Sequence, residues 1–164
     1  MKTKAAFLQF LLMLVTWVLL SGRATLESLA AGGVAALLIT LATASGASML
    51  GEVRLTPRAL GAHLLFFGVF LRELLLSNID VARRVLSPSL PINPGIVKVP
   101  TRLRSSMGRF VLANAITLTP GTFTVDVIGD FLFIHWLDVA AGDAEAAARR
   151  IVSRFEKYLE VSYG

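Results

Sequence analysis

Residues 5–20, AAFLQFLLMLVTWVLL, contain no charged side chain, and neither do residues 28–50. A helix that is apolar all round has no face to offer water, whereas a bilayer accepts it on every side. At about 1.5 Å per residue the first run reaches about 24 Å and the second about 34 Å, against a hydrocarbon core of about 30 Å. Extending the first run to residues 3–21 closes most of the gap. Lys2 and Lys4 can then snorkel to headgroups, and Trp17 suits the opposite interface. The competing assignment is a cleaved signal peptide: a basic start, an apolar stretch, then Gly22-Arg23-Ala24. That site matches the small-x-small pattern poorly, and a second apolar segment follows at once, so anchoring is preferred.

The second run is rich in small residues. Ala31/Ala35 and Gly32/Ala36 form small-xxx-small faces that let helices approach closely. They are candidate subunit-packing positions. The same mechanism would equally pack them on the chain's own first span, and the sequence leaves both open.

Leu60 to Leu71 is a shorter apolar stretch, interrupted by His63. Over the residues that follow, Arg72, Glu73, Asp80, Arg83 and Arg84 fall on one arc of about 120° at helical spacing, with Leu71, Leu74, Leu75, Ile79, Ala82, Val85 and Leu86 opposite. That pattern predicts an amphipathic helix lying in the membrane interface. Arg72, Arg83 and Arg84 are candidate contacts to headgroups or to acidic partner loops. With two spans, Lys2, Lys4, Arg54, Arg58, Arg83 and Arg84 share one side and Arg23 stands alone on the other. The positive-inside rule prefers this to three spans, the alternative.

Residues 88–100 hold Pro88, Pro91, Pro94 and Pro100, which predicts a stiffened linker. Beyond it the pattern changes. Residues 96–99 read as a strand, 105–117 as a helix, 122–128 and 131–139 as a hairpin around Gly129-Asp130. A final helix opens at Asp143 as N-cap, buries Ala148, Ile151, Val152, Phe155, Tyr158 and Leu159, and pairs Glu145 with Arg149. The expected fold is therefore membrane α plus α+β. A transmembrane helical hairpin occupies 1–57, an interfacial amphipathic helix (or third span) 58–87, and a Pro-rich linker with the first strand 88–100. A cytoplasmic two-layer β-α-β-β-α domain occupies 101–164.

Composition narrows the function. Hydrophobic residues make up 55% and charged residues 16%, with mean hydropathy +0.70, which excludes a disordered chain and argues against an ordinary soluble globule. There is no cysteine, so thiolate chemistry, disulfides and zinc–cysteine sites are excluded. His63 and His135 alone cannot form a histidine cluster. Residues 1–58 carry five cations and two anions, 59–110 seven and two, and 111–164 four and seven. A basic middle beside membrane-like sequence points to anionic lipid headgroups rather than nucleic acid.

Neither span contains an ionisable side chain, although ion and proton paths are usually built on such groups. There is no Gly-rich phosphate loop and no nucleophile elbow. His135 and Asp138 point to opposite faces of a strand, which makes His135 a structural strand histidine rather than half of a dyad. Asp126 and Asp130 read as solvated turn acids. No catalytic residue, metal site or cofactor is expected. Thr117, Thr119, Pro120, Gly121 and Thr122 form the most unusual local run. It is favoured as a helix-to-strand turn capped by threonine hydroxyls, with a docking or ligand loop as the other reading.

ANAITLTPGTFTVDV (113–127), LFIHWLDV (132–139) and SNIDVARRVLSPSLPINPGIVKVPT (77–101) together resemble the MnhE/MrpE family, the E subunits of Mrp-type multisubunit Na+/H+ antiporters. The resemblance extends over nearly the whole chain. It implies a bacterial cytoplasmic membrane complex whose large, complex-I-like subunits carry the ion and proton paths. This chain would be a small accessory component beside them and other small membrane subunits, with its C-terminal domain in the cytoplasm. It implies no catalytic residue. The competing function is a stand-alone membrane-anchored module that recruits a soluble partner, with a membrane-bound enzyme a distant third.

Overall fold

The computed structural model describes residues 2–43, 46–139 and 144–164, without the side chains of residues 2, 46–48, 144, 145 and 147. Two compact units divide after Val53.

The first unit is a helical hairpin. Helix α1 (Lys2–Ser21) packs against α2 (Leu26–Ala42), and a 3₁₀ segment (Gly46–Glu52) follows. Thr25 caps α2, its hydroxyl accepting from the Ser28 amide at 3.3 Å, and Glu27 sits in the first turn where the helix dipole favours an anion. The shared face buries Ala5 and Gln9 from α1 and Gly32, Ala36 and Thr40 from α2. At Gly32 a Cβ would lie 2.4 Å from Trp17 Cδ1, so the indole occupies the space a side chain would need.

The second expected span is not one helix. α2 has 17 residues and stops at Ala42, where the Thr43 hydroxyl donates back to the Ile39 carbonyl at 2.7 Å. The run Thr-Ala-Ser-Gly-Ala-Ser that follows contains a glycine and three hydroxyl residues, and such hydroxyls compete with the helical ladder. At about 1.5 Å per residue α2 is about 25 Å long, near the lower limit for crossing a bilayer.

The second unit opens with α3 (Pro57–Leu86), a continuous helix of 30 residues. Thr56 caps it, Pro57 starts it, and Arg83 and Arg84 lie in its last turn. Then follow β1 (Gly95–Pro100), α4 (Ser106–Leu118), β2 (Thr122–Ile128), β3 (Phe131–Trp136), α5 (Ala144–Ile151) and α6 (Ser153–Tyr163). The strands form one antiparallel sheet in the order β1-β3-β2, with Val99 opposite Leu132 and Val127 opposite Leu132 on the other side. A bulge lies between Thr124 and Asp126. One sheet face buries Val99, Leu132 and Ile134. The other exposes Ile96, Phe123, Phe131 and His135.

Three expectations about this unit change. The strand beginning at Phe131 ends at Trp136, not at 139, because Leu137 and Val139 turn their amides to the carbonyls of Gly121 and Asn93. The C-terminal helix is two helices joined at Val152, where the Phe155 amide bonds one residue short, to the Val152 carbonyl. Its buried stripe survives the join: Ile151, Val152, Phe155 and Leu159 are buried, Ala148 and Tyr158 partly so. The Asp143 cap and the Glu145 side chain lie outside the described residues. Finally, α3 does not stand apart from the C-terminal domain. Phe66, Val69 and Phe70 of α3 pack on its core of Leu103, Leu112, Ile116, Ile134, Phe155 and neighbouring residues. The linker therefore lies inside a unit instead of between two.

Candidate functional site

Helix α3 runs antiparallel to α6. His63 meets Tyr163 edge-to-face at 5.3 Å, Phe66 meets Phe155 at 5.9 Å, and Glu73 meets Arg154. Glu73 is the acid buried on this seam, its side chain only 8% exposed. Its two oxygens are shared between Arg72, at 2.6 Å, and Arg154. A buried carboxylate is tolerable only when paired in this way. Around Glu73 opens a cleft of about 700 Å³, walled by α3, by the end of α4 and the loop after it, and by α5 and α6.

Beyond Glu73 the seam is closed by Arg84. Its guanidinium pairs with Asp80 at 2.7 Å and with Asp138 at 3.0 Å, and donates to the Pro91 carbonyl at 2.6 Å. One side chain thus ties α3 to the proline linker and to the segment after β3. A smaller cavity of about 240 Å³ lies beside it. Asp138 turns to Arg84, while His135 is exposed on the open sheet face. Asp130 is also paired, with Arg109, which holds the hairpin turn to the loop before α4.

The three candidate arginines separate. Arg84 is 21% exposed, and its Nε and Nη1 are engaged inside the unit. Arg72 is 69% exposed while holding Glu73. Arg83 is exposed and, among the described residues, makes no ion pair.

The threonine run ends α4. Thr117 donates to the Ala113 carbonyl and accepts from the Thr124 amide, and Thr119 donates to Ala115 O. The Thr122 hydroxyl donates to Ile116 O at 2.6 Å, with Thr119 O at 2.9 Å as the alternative acceptor for its single proton. These hydroxyls bond to carbonyls of the last turns of α4 and of Thr119, and so tie the helix end to the turn that follows. Gly121 has φ +88°, left-handed backbone that its side-chain-bearing neighbours would resist, and a Cβ there would lie 3.6 Å from Val81 of α3. The run is thus a turn, and Thr119, Pro120 and Thr122 also form part of the cleft wall.

The small-residue positions divide as well. Gly32 and Ala36 face α1 within the hairpin, Ala35 is half-buried and Ala31 is exposed. Sequence reasoning missed Glu73 as a buried anchor, and missed Arg150, Arg154 and Lys157 across the cleft from it. The available signal was an Arg-Glu pair set inside a leucine-rich helix.

Comparison with known proteins accords with this architecture. Residues 10–161 match the family model MNHE, described as Na+/H+ ion antiporter subunit. The chain is 42% identical over 108 residues to the E subunit of the Na(+)/H(+) antiporter of Alkalihalophilus pseudofirmus, covering 64% of this chain and 67% of that one. It is 33% identical over 161 residues to the E1 subunit of the Na(+)/H(+) antiporter of Staphylococcus haemolyticus, covering 92% and 91%. A chain in the structure of an archaeal respiratory membrane complex, the membrane-bound sulfane sulfur reductase, superposes with TM-score 0.84. That chain is 37% identical, and the match covers 96% of this chain and 98% of the other.

Proposed function

The chain belongs to the MNHE family of Na+/H+ ion antiporter subunits, and from that premise we propose that it is a small accessory component of a multisubunit monovalent cation/proton antiporter that helps hold the membrane complex together without conducting ions. The family match over residues 10–161 carries the assignment to an antiporter. The accessory role rests on charge. α1 and α2 hold no ionisable side chain beyond Lys2, Lys4 and Glu27, all at helix starts. The buried acid of α3 is neutralised by two arginines. Proton and cation paths are usually built on ionisable groups free to exchange their charge inside the membrane. Likeness to a chain from a sulfur-reducing respiratory complex also favours a structural module, one that serves different chemistries.

In this reading the α1–α2 hairpin spans the bilayer and α3 lies on its cytoplasmic surface. The support is the α3–α6 seam. From Ala59 to Glu73, α3 lies along a helix that carries Arg154, Lys157 and Glu160. Were that stretch of α3 to cross, those charges would approach the hydrocarbon, at about 2.5–3.5 kcal/mol for each Arg, Lys or Asp at the centre of a span. The outward stripe of α3, with Leu60, Leu64, Phe67, Leu71, Leu75 and Ile79 exposed, suits the acyl boundary instead. Ala31 and Ala35 offer what remains of the small-residue surface to a neighbouring helix.

A C-terminally tagged chain, expressed in its native host and extracted in mild detergent, tests the assignment. Large polytopic subunits should co-purify in fixed ratio. Recovery of the chain alone, or with soluble proteins only, would move the membrane-anchored recruiting module to first place. Orientation is tested in the cysteine-free background with single cysteines. Arg23→Cys should react with an impermeant thiol reagent from outside the cell, and Ser153→Cys only after permeabilisation.

A further inference from the structure

The cleft beside Glu73 carries more positive charge than its acids absorb. Arg72, Arg150, Arg154 and Lys157 line it. Glu73 is shared by Arg72 and Arg154, and Asp80 is taken by Arg84. Among the described residues, neither Arg150 nor Lys157 has an ion-pair partner, and both are exposed. Two cations without a carboxylate partner, Lys157 with its ammonium 4.7 Å over the Tyr158 ring, therefore border a cavity large enough for a small organic ligand.

Location adds a second constraint. At about 100° per residue, Arg58, Leu65, Arg72, Leu76 and Arg83 fall within one arc of about 40° on α3. That arc is the border between the outward leucine stripe and the cleft. Leu76 is 47% exposed and also lines the cleft, so an apolar track leads directly to the cations. Arginines alternating with leucines, with further cations beyond, is the arrangement that accepts a phosphate whose attached chains remain in an apolar phase.

We propose that this cleft is a binding site for a phosphate anion, presented by an anionic phospholipid headgroup or free in solution. Arg150 and Lys157 bind the phosphate oxygens. Arg72 and Arg154, held in place by Glu73, complete the positive wall, and Trp136 closes the far side. An occupied cleft would join α3, α5 and α6 to one ligand, which links the domain's position to the lipid around it. The headgroup form of the proposal rests on α3 lying at the bilayer surface.

The test uses the intact complex in nanodiscs of phosphatidylcholine doped with phosphatidylglycerol, with lipid retained after detergent exchange counted by native mass spectrometry. The wild type should retain phosphatidylglycerol over phosphatidylcholine. R150Q/K157Q should retain about twenty-fivefold less, roughly fivefold for each cation removed. R150K/K157R should restore retention, and R104Q, in the loop before α4 and away from both the cleft and the arginine–leucine arc, should leave it nearly unchanged. Inorganic phosphate is titrated against the same samples. Phosphate bound by the wild type but not by R150Q/K157Q, with no lipid selectivity, assigns the site to the soluble anion. Equal retention of both lipids together with no phosphate binding overturns the proposal, as does a double variant that retains phosphatidylglycerol like the wild type. A spin label on Leu64→Cys reads the depth of α3 in the same discs. A shallow label with no anion selectivity overturns the cleft alone, whereas a label at the bilayer centre overturns the surface position of α3.

Discussion

Arg84 and Glu73 show how differently two neighbouring charges can be employed on one helix. Arg84 meets two carboxylates and a carbonyl, and Glu73 meets two guanidinium groups. Charge reversal at both Arg83 and Arg84 would therefore mix two effects. Arg84→Glu should loosen the unit itself, lowering its melting temperature by differential scanning fluorimetry. Arg83→Glu should leave that temperature unchanged and act only on membrane or partner contact. Glu73→Gln removes the charge but keeps the shape. It should cost about 1–3 kcal/mol, the usual loss when a charge-assisted hydrogen bond is removed, read from denaturant unfolding of the detergent-solubilised protein. A variant as stable as wild type would show that the pairing contributes nothing net.

At the scale of elements, how closely two helices approach depends on the residues at their seam. Gly32 gives its missing Cβ to Trp17. Gly32→Val should cost about 1–3 kcal/mol by overpacking and separate α1 from α2, and Trp17→Ala should relieve it, leaving the double variant less destabilised than the sum of the two single ones in a double-mutant cycle. The α3–α6 seam supplies a pH dependence. Burial raises the Tyr163 hydroxyl above its ordinary value of 10.0. The unfolded chain therefore loses that proton first. Stability is complete below about pH 10 and falls as pH climbs towards the folded-state value. Tyr163→Phe keeps the ring against His63 and should flatten that alkaline fall in unfolding curves taken from about pH 8 to 12. An unchanged slope would mean that other groups set it.

For the whole molecule, the two units divide the tasks: one is apolar with a closely packed seam, the other carries most of the charged side chains. The complete chain in its complex should tolerate Ala31→Leu less well than the isolated hairpin does, because Ala31 is exposed within this chain. Reduced co-purification of the large subunits, with the chain itself still inserted, would assign Ala31 to a neighbouring helix. Unchanged co-purification would free it of that role.

Much of this was legible in the sequence. The uncharged runs predicted apolar N-terminal helices, because period and polarity are local properties of the chain. The hairpin expected at 122–128 and 131–139 followed from alternation and a Gly-Asp turn, with its second strand ending earlier, at Trp136, and the threonine run was already favoured as a helix-to-strand turn. The letters of three segments were enough to place the chain beside antiporter subunits. What the sequence could not settle were questions of partnership. A stripe of small residues has the same pattern whether it packs on its own hairpin or on a neighbour, and only the fold put Gly32 and Ala36 against α1. Three arginines on one helical arc look equivalent until tertiary structure brings Asp138 and Pro91 to one of them. The cations of α5 and α6 lie some 80 residues from Glu73 in sequence, so no local pattern could join them into a cleft. Local periodicity decides what each segment becomes; which charges meet is decided only when the chain returns on itself.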